Sequence, residues 1–168
     1  MKNLLSTFNF LRSGEATQRF HTVRTIGQNT VGEHSFQVAW LVYLLTDGAA
    51  NARLLMAAMT HDLAEQVTGD IPAPTKRGLA MGADLTDMEE RLLDEHELCF
   101  PLSKRDARTL KLADCLSGML FCLAEREMGN QTIGYVFTNF RSYVEELAPT
   151  GVEAELLAII VSKWTEII

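Results

Sequence analysis

Met59-Thr60-His61-Asp62-Leu63-Ala64-Glu65-Gln66-Val67-Thr68-Gly69-Asp70 closes an apolar run, Leu54-Leu55-Met56-Ala57-Ala58-Met59, that reads as a buried helix. Between His61 and Asp70 it gathers one imidazole and three carboxylates. Neutral imidazoles and carboxylates are ordinary ligands for divalent cations, and charged groups are rarely kept at the end of a core helix without partners. Adjacent residues do not share a helical face. His61 and Asp62 therefore reach one ion only if the helix ends or opens there, and Thr68-Gly69 followed by Ile71-Pro72-Ala73-Pro74 predicts an early end. Read alone, the stretch fits equally a capped helix end with a satisfied histidine and a solvated acidic turn.

Working outward, helical periodicity dominates. A short first helix carries Leu4, Leu5, Phe8 and Leu11, followed by an irregular stretch over 13–30. A second helix is expected from about Val31 to Leu45, with Phe36, Ala39, Trp40, Tyr43 and Leu44 at helical spacing, and a third from about Ala50 to Glu65. Pro72, Pro74 and Gly78 predict a loop. An acidic amphipathic helix spans 84–99, with His96 on its exposed side. A long helix runs from about Lys104 to Met128, a sixth from about Thr132 to Leu147, and a last from Val152 to Ile168. Only Tyr135-Val136-Phe137 is briefly strand-like. The expected fold is all-α, one domain over residues 1–168 with about seven helices.

Composition narrows the partners. A net charge of −7 and a pI of about 5.1 argue against coating a nucleic acid polymer, while a nucleotide substrate needs only a few local cations. Cys99, Cys115 and Cys122 lack the spacing of a disulfide framework or zinc knuckle. No membrane span and no signal sequence is read, so a reducing, cytoplasmic setting is expected. The last helix, with Val152, Leu156, Leu157, Ile159, Ile160, Trp164 and Ile168, is apolar enough to predict a homo-oligomer, a dimer or a hexamer.

Ionisable residues recur inside apolar helices at Glu33-His34, His61-Asp62 and Asp114. Three helices thus carry the order H…HD…D, a mixed shell that suits Zn, Mn, Co or Fe with positions left for water and substrate. Lys111 precedes Asp114 by three residues and shares its helical face. Arg19 offers a bidentate fork for phosphate, and Lys76 follows the Pro-x-Pro turn. Glu65 lies three residues after Asp62 and faces the same side.

These residues resemble the HD-domain phosphohydrolases, with His34, His61, Asp62 and Asp114 matching the metal ligands. The stretches Asn29-Thr30-Val31-Gly32-Glu33-His34-Ser35 and His61 to Pro74 are similar to the small YfbR-type 5′-deoxynucleotidases. The chain also resembles the compact phage dATP triphosphohydrolases, in length, ligand spacing and the two lysines Lys76 and Lys111. That likeness implies a metal-dependent phosphoric ester hydrolase that acts on a small deoxynucleotide. Glu65 would be the general base and Asp70 its helper, or the holder of a second Mg or Mn ion. Phe20 and Pro74 would grip the base, with Phe20 where the relatives carry Trp, and Thr22 would face the purine 2-position. The leading expectation is conversion of dATP to deoxyadenosine and triphosphate, the tail held by Arg19, Lys76 and Lys111. The alternative is a 5′-deoxynucleotidase that cleaves dNMP, and a non-catalytic nucleotide-binding module ranks below both.

Overall fold

The computed structural model describes residues 3–78 and 82–167. Regular structure among them is helical: α1 (Leu4–Glu15), α2 (Val31–Leu45), α3 (Ala52–Thr60), α4 (Glu65–Thr68), α5 (Ala73–Gly78), α6 (Gly82–Glu95), α7 (Lys104–Glu127), α8 (Gly134–Glu146) and α9 (Val152–Glu166). Side-chain caps start several of them. Asn3, Asn51 and Ser103 accept from backbone N–H groups of α1, α3 and α7, and Thr30 with Glu33 forms a reciprocal capping box on α2. Glu33, read as part of an ionisable pair, thus serves its own helix start.

The helix α7 is the axis of the molecule. Leu112, Leu116 and Met119, at i, i+4 and i+7, are fully buried and pack with Val38, Leu41 and Val42 of α2. Leu54 and Ala58 of α3, Val136 and Phe137 of α8, and Ile160 of α9 complete this core. Cys115 and Cys122 are buried within it, outside any disulfide among the described residues. A smaller cluster joins Phe10, Val31, Leu63, Ala64, Leu93 and Leu98 beneath α1 and α6. No helix among the described residues is long and apolar enough to cross a membrane.

Four expectations change. The expected third helix stops at Thr60; His61–Ala64 form a turn, and α4 restarts the chain at Glu65. The Pro72–Gly78 stretch holds a short helix rather than a loop, because a proline is tolerated in a first turn whose N–H groups lack intrahelical acceptors. His96 lies past the end of α6 and stacks on Phe10 at 4.1 Å between ring centroids. The stripes chosen for the first two helices face outward: Leu4, Leu5 and Phe8 on α1, and Phe36, Trp40, Tyr43 and Leu44 on α2, are exposed. Both helices carry apolar residues on more than one side, so spacing alone does not select the buried one. Conversely, the last helix uses much of its apolar surface at home. Ile160 is buried, and Trp164 stacks on Phe137 at 3.9 Å; Val152 and Ile159 remain exposed, and Ile168 is outside the described residues.

The connection between α1 and α2 positions the site. Its neck is closed by an isolated antiparallel bridge between Gln18 and Thr30, by Arg19 N–H to Asn29 C=O at 2.9 Å, and by Val31 N–H to Thr17 C=O at 2.9 Å. Its far side is tied to α7: the fully buried Glu125 carboxyl accepts from Ile26 N at 2.8 Å, Gly27 N at 2.7 Å and Asn130 Nδ2 at 2.7 Å. The loop carrying Arg19, Phe20 and Thr22 is therefore fixed at both ends.

Candidate metal centre and active site

His34 on α2, His61 and Asp62 in the turn after α3, and Asp114 on α7 meet at one point, their ligand atoms all within 4.8 Å of one another. The end of α3 at Thr60 is what allows neighbouring residues 61 and 62 to converge. His34 Nε2 lies 3.3 Å from His61 Nε2, 3.3 Å from Asp62 Oδ2 and 3.3 Å from Asp114 Oδ1, and His61 Nε2 lies 3.4 Å from Asp62 Oδ1. Ligands about 2.1 Å from a shared ion stand about 3.0–3.4 Å apart, so these separations fit a cation. The ring chemistry agrees. His61 Nδ1 lies 3.0 Å from the Ala58 carbonyl, which can only accept, so this nitrogen carries the proton and Nε2 keeps its lone pair.

Charge is tightly balanced here. Burial alone would favour neutral Asp62, yet His61, Arg19 and His34 hold its carboxyl far below the usual range. Burial likewise opposes ionisation of Asp114, and Lys111, His34 and His61 overcome it. For His34, burial and Arg19 disfavour the charged ring, but hydrogen bonds to Asp114 and Asp62 raise its pKa overall. Burial lowers that of His61. Glu65 behaves oppositely: burial first, then the Asp62 charge, push its carboxyl up to about 9. Its Oε2 is buried without a hydrogen-bond partner, as is Arg19 Nε.

Beside the cluster opens a cavity of about 410 Å³, within the range of small-molecule sites. Asp62, Asp114, Glu65, Asp70, Arg19, Lys76 and Lys111 line its polar end. Phe20, Val23, Val136, Phe140 and Tyr143 line the other, with Thr22 and Asn139. Arg19 Nη1 donates to Asp62 Oδ2 at 2.6 Å. Phe20 adopts a φ of 58° and stacks on Phe121 at 4.3 Å. Asp70 Oδ2 accepts from the Phe20 N–H at 2.7 Å, so one oxygen of this acid secures the loop. Lys111 donates to Asp114 at 2.7 Å, and this pairing raises its pKa. Lys76 binds Glu89 at 3.0 Å and lies 4.0 Å from Glu65. The side chain of Pro74 lies outside the described residues.

Several participants were not legible beforehand. Glu89 holds Lys76 and also accepts from Thr68 at 3.1 Å, although it read as one more acid on an exposed helix. Phe140 and Tyr143 stand more than a hundred residues from Phe20 in sequence and join it only through packing of α8 on α7.

An all-helical bundle that brings two histidines and two aspartates from three separate segments to one point, beside an acid and an arginine, defines a class. Residues 15–114 match the HD-domain family, and the chain belongs to it, as a metal-dependent phosphohydrolase. Among its relatives, a 5′-deoxynucleotidase of Klebsiella pneumoniae is 31% identical over 140 residues, spanning 67% of this chain and 68% of that protein. The 5′-deoxynucleotidase YfbR of Salmonella typhi is 28% identical over 162 residues, 82% of this chain and 81% of the relative. An HD-domain phosphohydrolase from Listeria innocua shares the fold, with a TM-score of 0.69 at 18% identity over 95% of this chain and 99% of that one.

Proposed function

We propose that this chain is a 5′-deoxynucleotidase, hydrolysing a deoxynucleoside monophosphate to deoxynucleoside and phosphate. The observation that carries the reading is the four-ligand cluster, two of whose carboxylates, Asp62 and Asp114, line a cavity shared with Arg19, Lys76, Lys111 and the rings of Phe20, Phe140 and Tyr143. The names of the relatives at 28–31% identity support the same substrate class. His34, His61, Asp62 and Asp114 would hold the divalent ion, which when bound supplies Lewis-acid polarisation of the phosphoryl group and acidifies water.

The chain's own residues do the rest. Arg19, whose Nε is buried and unpartnered, binds a phosphate oxygen and sets the phosphorus against the cluster. Glu65 takes the proton of the attacking water in its ionised form, which a bound cation offsetting the Asp62 charge would favour; its buried Oε2 has no hydrogen-bond partner of its own. Asp70 keeps Phe20 in place through the backbone, and Phe20, Phe140 and Tyr143 shelter the nucleoside from water. Lys111 balances the charge of Asp114.

A dATP triphosphohydrolase is the second reading, favoured by the placement of Lys76 and Lys111 on the same cavity wall. It ranks lower because each lysine already has a carboxylate partner, Glu89 and Asp114, and none of the relatives cited carries a triphosphatase name. Product analysis separates the two. Purified protein with Co²⁺ or Mn²⁺ should release phosphate from dAMP and leave dATP largely intact. Deoxyadenosine with intact triphosphate from dATP, and no turnover of dAMP, would overturn the proposal.

A further inference from the structure

We infer that Gln37 and Ser117 are positioning residues that hold His34 in the tautomer able to bind a cation. The inference rests on the metal reading above. Ser117 Oγ lies 2.9 Å from His34 Nδ1 and donates to Gln37 Oε1 at 2.6 Å. A serine hydroxyl has one hydrogen. With that hydrogen committed to Gln37, Oγ can only accept from the imidazole, so His34 Nδ1 carries the ring proton. The lone pair of Nε2 is then available to a cation held with His61, Asp62 and Asp114. If Ser117 instead donated to Nδ1, the proton would sit on Nε2 and fill the place of the ion.

Burial enforces the choice. His34 is 1% and Ser117 2% exposed, so water cannot readily substitute for either partner. Gln37 lies one helical turn after His34 on α2, and Ser117 one turn after Asp114 on α7. The same pair of packed helices thus supplies two ligands and the chain that orients one of them. His61 is oriented by a backbone carbonyl instead, which no side-chain substitution removes. The polarity of the whole chain is therefore set by which end of the Gln37 amide faces Ser117, and the acceptor end does so here. Partners of this kind affect both ligand orientation and basicity.

The test uses the full chain with Co²⁺ alone as the probe. Calorimetry would give its affinity for wild type, Ser117→Ala, Gln37→Met and Gln37→Glu, alongside the visible absorption of bound Co²⁺. Ring ¹⁵N shifts of the proteins loaded with diamagnetic Zn²⁺ would report the His34 tautomer with a cation in place. The expected result is an Nδ1–H ring in wild type and Gln37→Glu. Co²⁺ binding should be about 10–100-fold weaker in Gln37→Met and Ser117→Ala, with wild-type affinity or better in Gln37→Glu, which can only accept. Gln37 is only half-buried, so its variants keep the test valid should Ser117→Ala not fold. Affinities within twofold across all four proteins, or an Nε2–H ring in wild type, would overturn the inference alone. Wild-type protein that takes up no Co²⁺ would overturn the metal reading itself.

Discussion

Glu125→Ala is expected to damage this protein more than any other substitution of a single acid outside the cavity. Its carboxyl is fully buried and accepts two backbone N–H groups of the substrate loop, at 2.7 and 2.8 Å, as well as the Asn130 amide. Asn130 keeps a second partner, the Arg24 carbonyl at 2.9 Å. Ile26 and Gly27 would lose an acceptor that is itself fully buried. A buried donor left unpaired costs about 1–3 kcal/mol, so the two together cost about 4 kcal/mol. At about 2–4 °C per kcal/mol for a chain of this size, Tm should fall by about 8–16 °C. Thermal and urea unfolding of the metal-free protein would measure it. The loop carrying Arg19 and Phe20 should loosen, raising KM for the substrate, while Co²⁺ affinity stays near wild type because no cluster ligand touches Glu125. A loss of Tm below about 3 °C would refute the reasoning.

Gly118→Ala should cost about 1–3 kcal/mol, because a Cβ there would clash with the Phe140 ring; the displaced ring should also weaken nucleoside binding, read by KM. For Glu65, the folded pKa of about 9 lies above the ordinary 4.5. Below about pH 4.5 both states hold the proton. As pH rises through about 4.5 to 9, the folded protein keeps a proton that the unfolded chain has released, so metal-free stability declines across that window. Urea unfolding between about pH 5 and 8.5 should show this slope in wild type and lose it in Glu65→Gln, which should also lower kcat by about 10²–10⁴; parallel curves would contradict the assignment. We also propose a homo-oligomer that covers the exposed apolar residues of α1 and α2. Light scattering at micromolar concentration should find more than one copy, and a monomer would refute it.

The convergence of His34, His61, Asp62 and Asp114 was legible from their order on separate apolar helices taken with the family resemblance; read singly, each fitted a satisfied or solvated residue. The break after Thr60 was legible only as a condition, since adjacent residues meet at one ion only where a helix ends; the apolar spacing itself carried the expected helix on to Glu65. Which face of α2 is buried was not, because Phe36, Trp40 and Tyr43 repeat as regularly as Val31, Val38 and Leu41. Nor was the role of Glu125. In Ala124-Glu125-Arg126-Glu127 it reads as an ordinary acid near a helix end, and its partners lie 98 and 99 residues away. Ser117 and Gln37 were invisible as a pair, since a polar residue one turn past a ligand matches any helix surface until two helices are packed together. Lys76 and Lys111 reached the cavity as expected, but their partners Glu89 and Asp114 change what they are free to bind.

Phosphate release from dAMP tests the account most directly, measured with and without added Co²⁺ or Mn²⁺ in wild-type and Asp114→Asn protein after chelation. The account predicts release only from the wild type and only with the cation restored. Equal release by the chelated wild type, or by Asp114→Asn at the wild-type rate, would contradict a hydrolytic site built on His34, His61, Asp62 and Asp114.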